Sequence, residues 1–283
     1  MRLGTYYGSK HRLAGWVLAH LPRHTCYCEA FGGSAAVLLH RYPPAPVEVY
    51  NDLDGELVLT FRVLRERTLA LAEALAATPY AREEVEVAYQ AVPDDHPDRE
   101  LEIARRFLVR AGQTRGGPST RWKSGWRFQR DTARGAYPPA RWACFPEVIQ
   151  AVAQRLRYVQ IEHATALAVL RRFDAPATCF YLDPPYLPTE RAPQWRRGGY
   201  RHEMTEAEHR ELAERLHALR GMAVISGYAS DLYDELYTRQ GWQQVCTTAR
   251  DTQQAPVVEC LWLSPAAQQH LSLIHISEPT RPY

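Results

Sequence analysis

The sequence predicts an α/β fold: a parallel sheet that binds a nucleotide-like cofactor, broken once by a basic, mainly helical insertion. Three observations carry that prediction. A short β-prone segment, residues 25–29, runs into a glycine-rich turn, and a second, residues 47–50, ends at Asn51-Asp52, with helical sequence after each. After a long interruption the rhythm resumes at residues 158–162 and continues through the apolar segment 178–182, which ends at Asp183-Pro184-Pro185-Tyr186. Between the two halves, residues 99–142 hold eleven Lys/Arg against three acids, a net +8 in a chain whose formal net charge is +2.

In order along the chain, Ser9 is placed to cap a first helix in which Leu13, Trp16, Val17 and Leu21 share one face. Residues 35–41 read as helix, and a longer helical stretch covers residues 56–77. Helical pieces at 82–91, 99–111 and 147–156 surround a Gly-, Arg- and Trp-rich stretch, 112–142, that lacks periodicity. A helix then reaches Phe173. Thr205 with Glu208 forms a capping box that opens a helix ending near Arg220. Strands at 222–226, 242–247 and 257–263 close the fold, and there are no internal repeats. The expected division is a discontinuous catalytic domain, residues 1–77 and 158–268, with an inserted domain at 78–157. Residues 269–283 read as a non-native tail, because from Leu271 the sequence carries no pattern that continues the fold.

Composition narrows the class. A chain of 283 residues accommodates one large domain, or a core domain with one insertion. With 46% hydrophobic and 23% charged residues, a disordered or fibrous protein is excluded. No apolar run approaches the ~18 residues of a membrane span, and residues 1–10 lack the features of a secretion signal, so a cytoplasmic protein without membrane partners is expected. Six cysteines without a CxxC pair predict reduced thiols, with no disulfide framework and no zinc ribbon. His20, His24, Cys26 and Cys28 cluster, but at no usual zinc spacing; they read as core cysteines beside scattered histidines, and no metal is expected.

The tetrapeptide Asp183-Pro184-Pro185-Tyr186 carries the sharpest chemistry. A residue before proline is driven to extended backbone, so Asp183 projects from the strand end in a fixed direction. Two prolines lock the turn and remove two N–H donors, leaving the Pro184 carbonyl as a bare acceptor. Two adjacent acceptors and an aromatic ring suit a planar group bearing NH₂. The exocyclic amine of a nucleobase is a poor nucleophile because its lone pair is delocalised. Acceptors that hold its hydrogens favour a pyramidal nitrogen, and a nearby carboxylate stabilises the charge that develops during attack. The turn Glu29-Ala30-Phe31-Gly32-Gly33-Ser34 lets backbone approach a ligand closely, and Asp52 at the second strand end is placed for ribose hydroxyls. Neither the GxGxxG spacing nor a phosphate-loop lysine is present.

These residues come in an order, Tyr6-Tyr7-Gly8-Ser9-Lys10, Glu29 to Ala35, Asn51-Asp52, a basic insertion and Asp183 to Tyr186, that resembles the Dam-like DNA adenine-N6 methyltransferases (the D12, or alpha-group, class). Residues 200–205, Ile225-Ser226-Gly227-Tyr228 and residues 259–265 are similar to phage and prophage members. The resemblance spans about residues 4–266. It implies a Rossmann-like S-adenosylmethionine-dependent fold with an inserted target-recognition domain, and site-specific methylation of N6 of an adenine flipped out of double-stranded DNA. Tyr6 and Lys10 would lie against S-adenosylmethionine, Phe31, Gly32 and Gly33 would line its methionine end, and Asp52 would hold its ribose. Asp183 would sit between cofactor and adenine, Pro184 would offer its carbonyl to N6, and Tyr186 would stack on the base. Two positions depart from the family pattern: Ala30 stands where Pro is usual and Ala35 where glycine is frequent, and both bear on cofactor affinity.

The basic insertion fits a polyanionic partner. Arg115, Arg121, Lys123, Arg127 and Arg130, interleaved with Trp122, Trp126, Phe128 and Trp142, are the expected DNA contacts, phosphate contacts for affinity and base edges for specificity. A second basic loop after Tyr186 adds Arg191, Arg196, Arg197 and Arg201 with Trp195 and Tyr200, and Arg196 and Arg197 are expected on DNA as well. A monomer is expected, and a cognate restriction endonuclease is a candidate partner. Two other readings stay open: an amino-methyltransferase on RNA adenine or cytosine N4, and a DNA-binding protein with an inactive site.

Overall fold

The computed structural model describes residues 3–120, 122–130, 137–191, 199–250 and 256–277. The chain begins differently from expectation. The Ser9 side chain makes no capping bond; its hydroxyl shares a 2.8 Å hydrogen bond with Ser34 Oγ, and a single 3-10 turn, Lys10–Arg12, precedes α1 (Ala14–Ala19). β1 (Cys26–Glu29), α2 (Ala36–His40) and β2 (Val47–Asn51) follow. Ala35, expected inside the helix, instead precedes it with φ +53°.

The stretch expected as one helix over 56–77 is two, α3 (Gly55–Glu66) and α4 (Thr68–Ala76), broken at Arg67, whose φ −131° and ψ 39° are not helical. Asp54 starts α3 by accepting from the N–H groups of Glu56 and Leu57. The break turns the two helices toward different partners. α3 packs on α6 (Arg99–Gln113), after α5 (Arg82–Ala88); α4 packs on α8 (Phe145–Leu156), after α7 (Pro138–Ala143). Ala104, Phe107, Leu108 and Ala111 form the buried stripe of α6 at helical spacing. Between α6 and α7 the backbone makes two isolated bridges, Thr114 to Trp126 and Thr120 to Tyr200.

The second half adds β3 (Val159–Glu162), α9 (Ala166–Phe173), β4 (Thr178–Leu182), α10 (Glu206–His217), β5 (Met222–Gly227), α11 (Asp231–Leu236), β6 (Gln243–Arg250), β7 (Pro256–Leu263) and α12 (Pro265–Ser277). The capping box of Thr205 and Glu208 forms as expected. α10 stops before Arg220, because Asp174 Oδ1 takes the N–H groups of Arg220 and Gly221 at 2.9 and 3.0 Å.

The seven strands among the described residues join one sheet in the order β3-β2-β1-β4-β5-β7-β6, with β5–β7 and β7–β6 antiparallel and the other pairs parallel. This is the Rossmann-like methyltransferase arrangement. β4 is buried along its whole length, which accounts for its continuous apolar run. Alternate residues serve opposite faces: Tyr27, Tyr50 and Tyr181 join one apolar cluster, and Cys28, Val49, Phe180 and Leu182 the other. The first cluster continues into α3–α8, so those helices share a core with one face of the sheet.

One expectation about the cysteines is corrected. Cys246 and Cys260 face each other across β6 and β7, and a disulfide joins them; Cys26, Cys28, Cys144 and Cys179 are free thiols. Among the described residues no helix is long and apolar enough to cross a membrane.

Candidate functional site

The chain leaves β1 outward to β2 and β3, then returns to place β4 on the other side of β1. In an open parallel sheet the crevice at that reversal, beyond the carboxyl ends of the strands, is where ligands bind. A cavity of about 360 Å³ lies there, lined among others by Tyr6, Phe31, Asp52 and Asp183.

The turn after β1 shapes one wall. Gly32 N–H donates to the Asn51 carbonyl at 2.7 Å, and a Cβ on Gly32 would come within 2.2 Å of the Tyr50 ring, so only glycine fits. The Tyr50 hydroxyl donates to the Gly33 carbonyl at 2.7 Å. Asp52 accepts from Gly33 N–H at 2.8 Å and Asp54 N–H at 2.9 Å, one on each carboxylate oxygen. Burial pushes the Asp52 pKa up, and the backbone N–H groups pull against that rise. Each oxygen keeps a further lone pair for a ligand hydroxyl.

Glu29 lies deeper. Its Oε1 accepts from the Tyr27 hydroxyl at 2.8 Å and Leu38 N–H at 2.7 Å, while Oε2 is buried and without a partner among the described residues. Burial raises its pKa to about 8.

Asp183 follows β4 directly, and three donors converge on its Oδ1. Ser226 Oγ donates at 2.7 Å, the Tyr186 hydroxyl at 3.1 Å, and Lys10 Nζ pairs with it at 3.2 Å. No described residue bonds its other oxygen. The Tyr186 hydroxyl also reaches Glu259 Oε2 at 3.1 Å, and Lys10 Nζ lies 3.5 Å from the same atom and 4.6 Å from the centre of the Tyr186 ring. Lys10 is buried, which disfavours its charge, yet the carboxylates of Asp183 and Glu259 outweigh that cost and raise its pKa. Burial, with the same two carboxylates, raises the Tyr186 pKa, so its hydroxyl remains a donor. From behind the turn, His209 Nε2 hydrogen-bonds the Pro185 carbonyl at 3.1 Å.

Residues 200–204 line the cavity as well. Glu203 organises them, accepting from the Tyr200 N–H and the Arg191 guanidinium, each at 2.8 Å. The Tyr200 ring lies 4.8 Å from that of Tyr7, and Arg201 pairs with Glu56 at 2.5 Å and Asp54 at 3.5 Å. Tyr200 and Arg201 thereby reach Thr120, Tyr7 and the start of α3 around one opening.

Of the residues expected at the cofactor, Tyr6, Lys10, Phe31, Gly32, Gly33, Asp52 and Asp183 all line the one cavity. Pro184 is buried and Tyr186 half-buried beside it. The expected DNA contacts are more dispersed. Arg115, Lys123 and Arg130 are exposed, as are Trp122 and Phe128. Arg127 is half-buried and donates to Thr5 Oγ1 at 2.6 Å. Arg121, Arg196, Arg197 and Trp195 lie outside the described residues. Much of the local +8 is compensated within the fold: Arg105 pairs with Glu84 and Glu102, Arg106 with Glu102, and buried Arg110 with Glu56.

Trp126 stacks with Phe128, and Trp142 is buried with its indole N–H on the Thr78 carbonyl. His20 and His24 each bond a nearby backbone carbonyl through Nδ1. Ser226 and Glu259 lie within longer motif stretches of the sequence and acquire a role only in the folded site. A buried acid between apolar residues on β7 is the signal that could single out Glu259.

Residues 6–111 match the family model of the D12 class N6 adenine-specific DNA methyltransferases, a segment running from Tyr6 through the glycine-rich turn and Asp52 into α6. No curated protein matches the chain.

Proposed function

We propose that this chain, whose residues 6–111 match the family model of the D12 class N6 adenine-specific DNA methyltransferases, transfers a methyl group from S-adenosylmethionine to N6 of an adenine flipped out of duplex DNA. The single observation that carries the reading is Asp183, held through Oδ1 at the rim of the cavity with its other oxygen left to a substrate amine.

The cavity's residues fit that cofactor. The Gly32-Gly33 turn lines the wall without side chains, Asp52 offers acceptors for hydroxyls, and the Glu29 carboxyl, whose Oε2 is buried and without a partner among the described residues, is a further polar group on the lining. When bound, S-adenosylmethionine supplies an electrophilic methyl group. The chain's residues act on the amine. Asp183 and the Pro184 carbonyl accept the N6 hydrogens, which favours a pyramidal nitrogen and orients its lone pair. The carboxylate then stabilises positive charge on N6 as the N–C bond forms and the methyl–sulfur bond breaks, when that help lowers the barrier. The by-product would be S-adenosylhomocysteine, and the surplus N6 proton would pass to solvent. Extracting a paired base costs a few kcal/mol, and stacking on Tyr186, at roughly 1–3 kcal/mol per base, offsets part of it. Exposed Arg115, Lys123 and Arg130 with Trp122 and Phe128 supply a surface for the duplex, and residues 78–157 are the recognition domain.

The test is incubation with methyl-labelled S-adenosylmethionine and duplex DNA or, in a parallel reaction, RNA, followed by hydrolysis to nucleosides. Label in N6-methyladenine supports the reading. Label in N4-methylcytosine, or only in RNA, overturns it.

A further inference from the structure

Resting on that reading, we infer that Glu259 is a positioning residue for methyl transfer: from β7 it shares Lys10 and the Tyr186 hydroxyl with Asp183 and so holds the Asp183 carboxylate in its working orientation. Glu259 is buried, 7% exposed, in a strand otherwise apolar from Cys260 to Leu263. A lone carboxylate in such a place is costly unless it is paired. Its partners here, Lys10 Nζ at 3.5 Å and the Tyr186 hydroxyl at 3.1 Å, are two of the three donors that also reach Asp183 Oδ1.

The arrangement has a directional consequence. Left to a single carboxylate, an ammonium is free to move between its two oxygens. With Glu259 on its other side, Lys10 is fixed between Asp183 Oδ1 and Glu259 Oε2. The Tyr186 hydroxyl has one hydrogen and lies 3.1 Å from both Asp183 Oδ1 and Glu259 Oε2, so it bridges the same two carboxylates. Ser226 closes the set from β5. With Oδ1 engaged in this way, the other oxygen of Asp183 is the one presented to substrate. Glu259 itself does not line the cavity, so it acts through Lys10 and Tyr186.

Glu259→Gln isolates the charge: it keeps an acceptor for the Tyr186 hydroxyl and removes the carboxylate that shares Lys10. The full chain and its variants are compared in single-turnover methyl transfer to duplex DNA, with S-adenosylmethionine binding measured separately. The rate should fall about tenfold or more, as it does for small displacements of a catalytic group, with cofactor affinity changed less than about threefold. In a Lys10→Met background the same substitution should change the residual rate less than about twofold, because the intermediary is gone. Glu259→Asp, which keeps the charge but shortens its reach, should fall between wild type and Glu259→Gln. If Glu259→Gln does not fold, Glu259→Asp carries the comparison. A variant with wild-type rate overturns the inference, as does an equal loss in both backgrounds. An inactive but folded and cofactor-binding wild type overturns the proposed function instead.

Discussion

Ser226 donates its hydroxyl hydrogen to Asp183 Oδ1 at 2.7 Å, so β5 reaches past the end of its neighbour β4 to fix the carboxylate at the cavity rim. The contact explains why a serine is buried at the end of a strand whose other residues are apolar or glycine. A hydrogen bond to a charged acceptor is the stronger kind, and here it sets which carboxylate oxygen is free.

Ser226→Ala removes that bond and leaves a small, apolar residue in its place. At about 1.5–3 kcal/mol for a bond to a charged group, and with only part of it expressed in the transition state, the methyl-transfer rate should fall roughly tenfold. Cofactor affinity should stay close to wild type. Single-turnover kinetics with calorimetric titration of S-adenosylmethionine checks both, and an unchanged rate would show that Ser226 does not orient Asp183.

Ala35 occupies a left-handed backbone conformation, φ +53° and ψ 34°, at the entry to α2. That conformation costs an L-residue roughly 1–2 kcal/mol, whereas glycine adopts it freely but loses about 0.4–1 kcal/mol through unfolded-chain entropy. Ala35→Gly should therefore stabilise the fold by about 0.5–1 kcal/mol. Denaturant unfolding would register this as a higher midpoint with an unchanged slope.

Glu29 gives the fold a pH dependence. Its folded pKa, raised by burial to about 8, lies above the ordinary value of 4.5, so the folded state holds a proton that the unfolded chain releases. The associated stability is fully present below pH 4.5, erodes as pH rises, and is lost once pH passes about 8. Glu29→Gln is neutral throughout and removes this slope. The variant should gain on wild type from about pH 5 to pH 9, by an amount on the order of a few kcal/mol. Unfolding of the cofactor-free proteins across that range tests it; parallel curves would mean that Glu29 is not protonated in the fold.

The parts of this molecule that were legible in the sequence are local. β4 followed by Asp183-Pro184-Pro185-Tyr186, the turn at Gly32-Gly33 with Asp52, and the capping box of Thr205 and Glu208 are each encoded within a few residues. The parts that were not legible depend on partners distant in sequence. Arg67 breaks a helical run because α4 must turn to meet α8. Arg105, Arg106 and Arg110 look like part of a DNA-facing charge until their acidic partners Glu84, Glu102 and Glu56 are in place. Cys246 and Cys260 become neighbours only when β6 and β7 pair. Ser226 and Glu259 likewise acquire meaning through strand order, because β5 and β7 bring them to Asp183 and Tyr186.

The most direct measurement is modification-sensitive sequencing of DNA from a host that lacks its own adenine methylation and expresses this chain, beside an Asp183→Ala control. The account predicts N6-methyladenine at one short sequence motif with the wild-type chain and none with the control. An unmarked genome from a folded, cofactor-binding wild type would contradict it, as would a mark that survives Asp183→Ala.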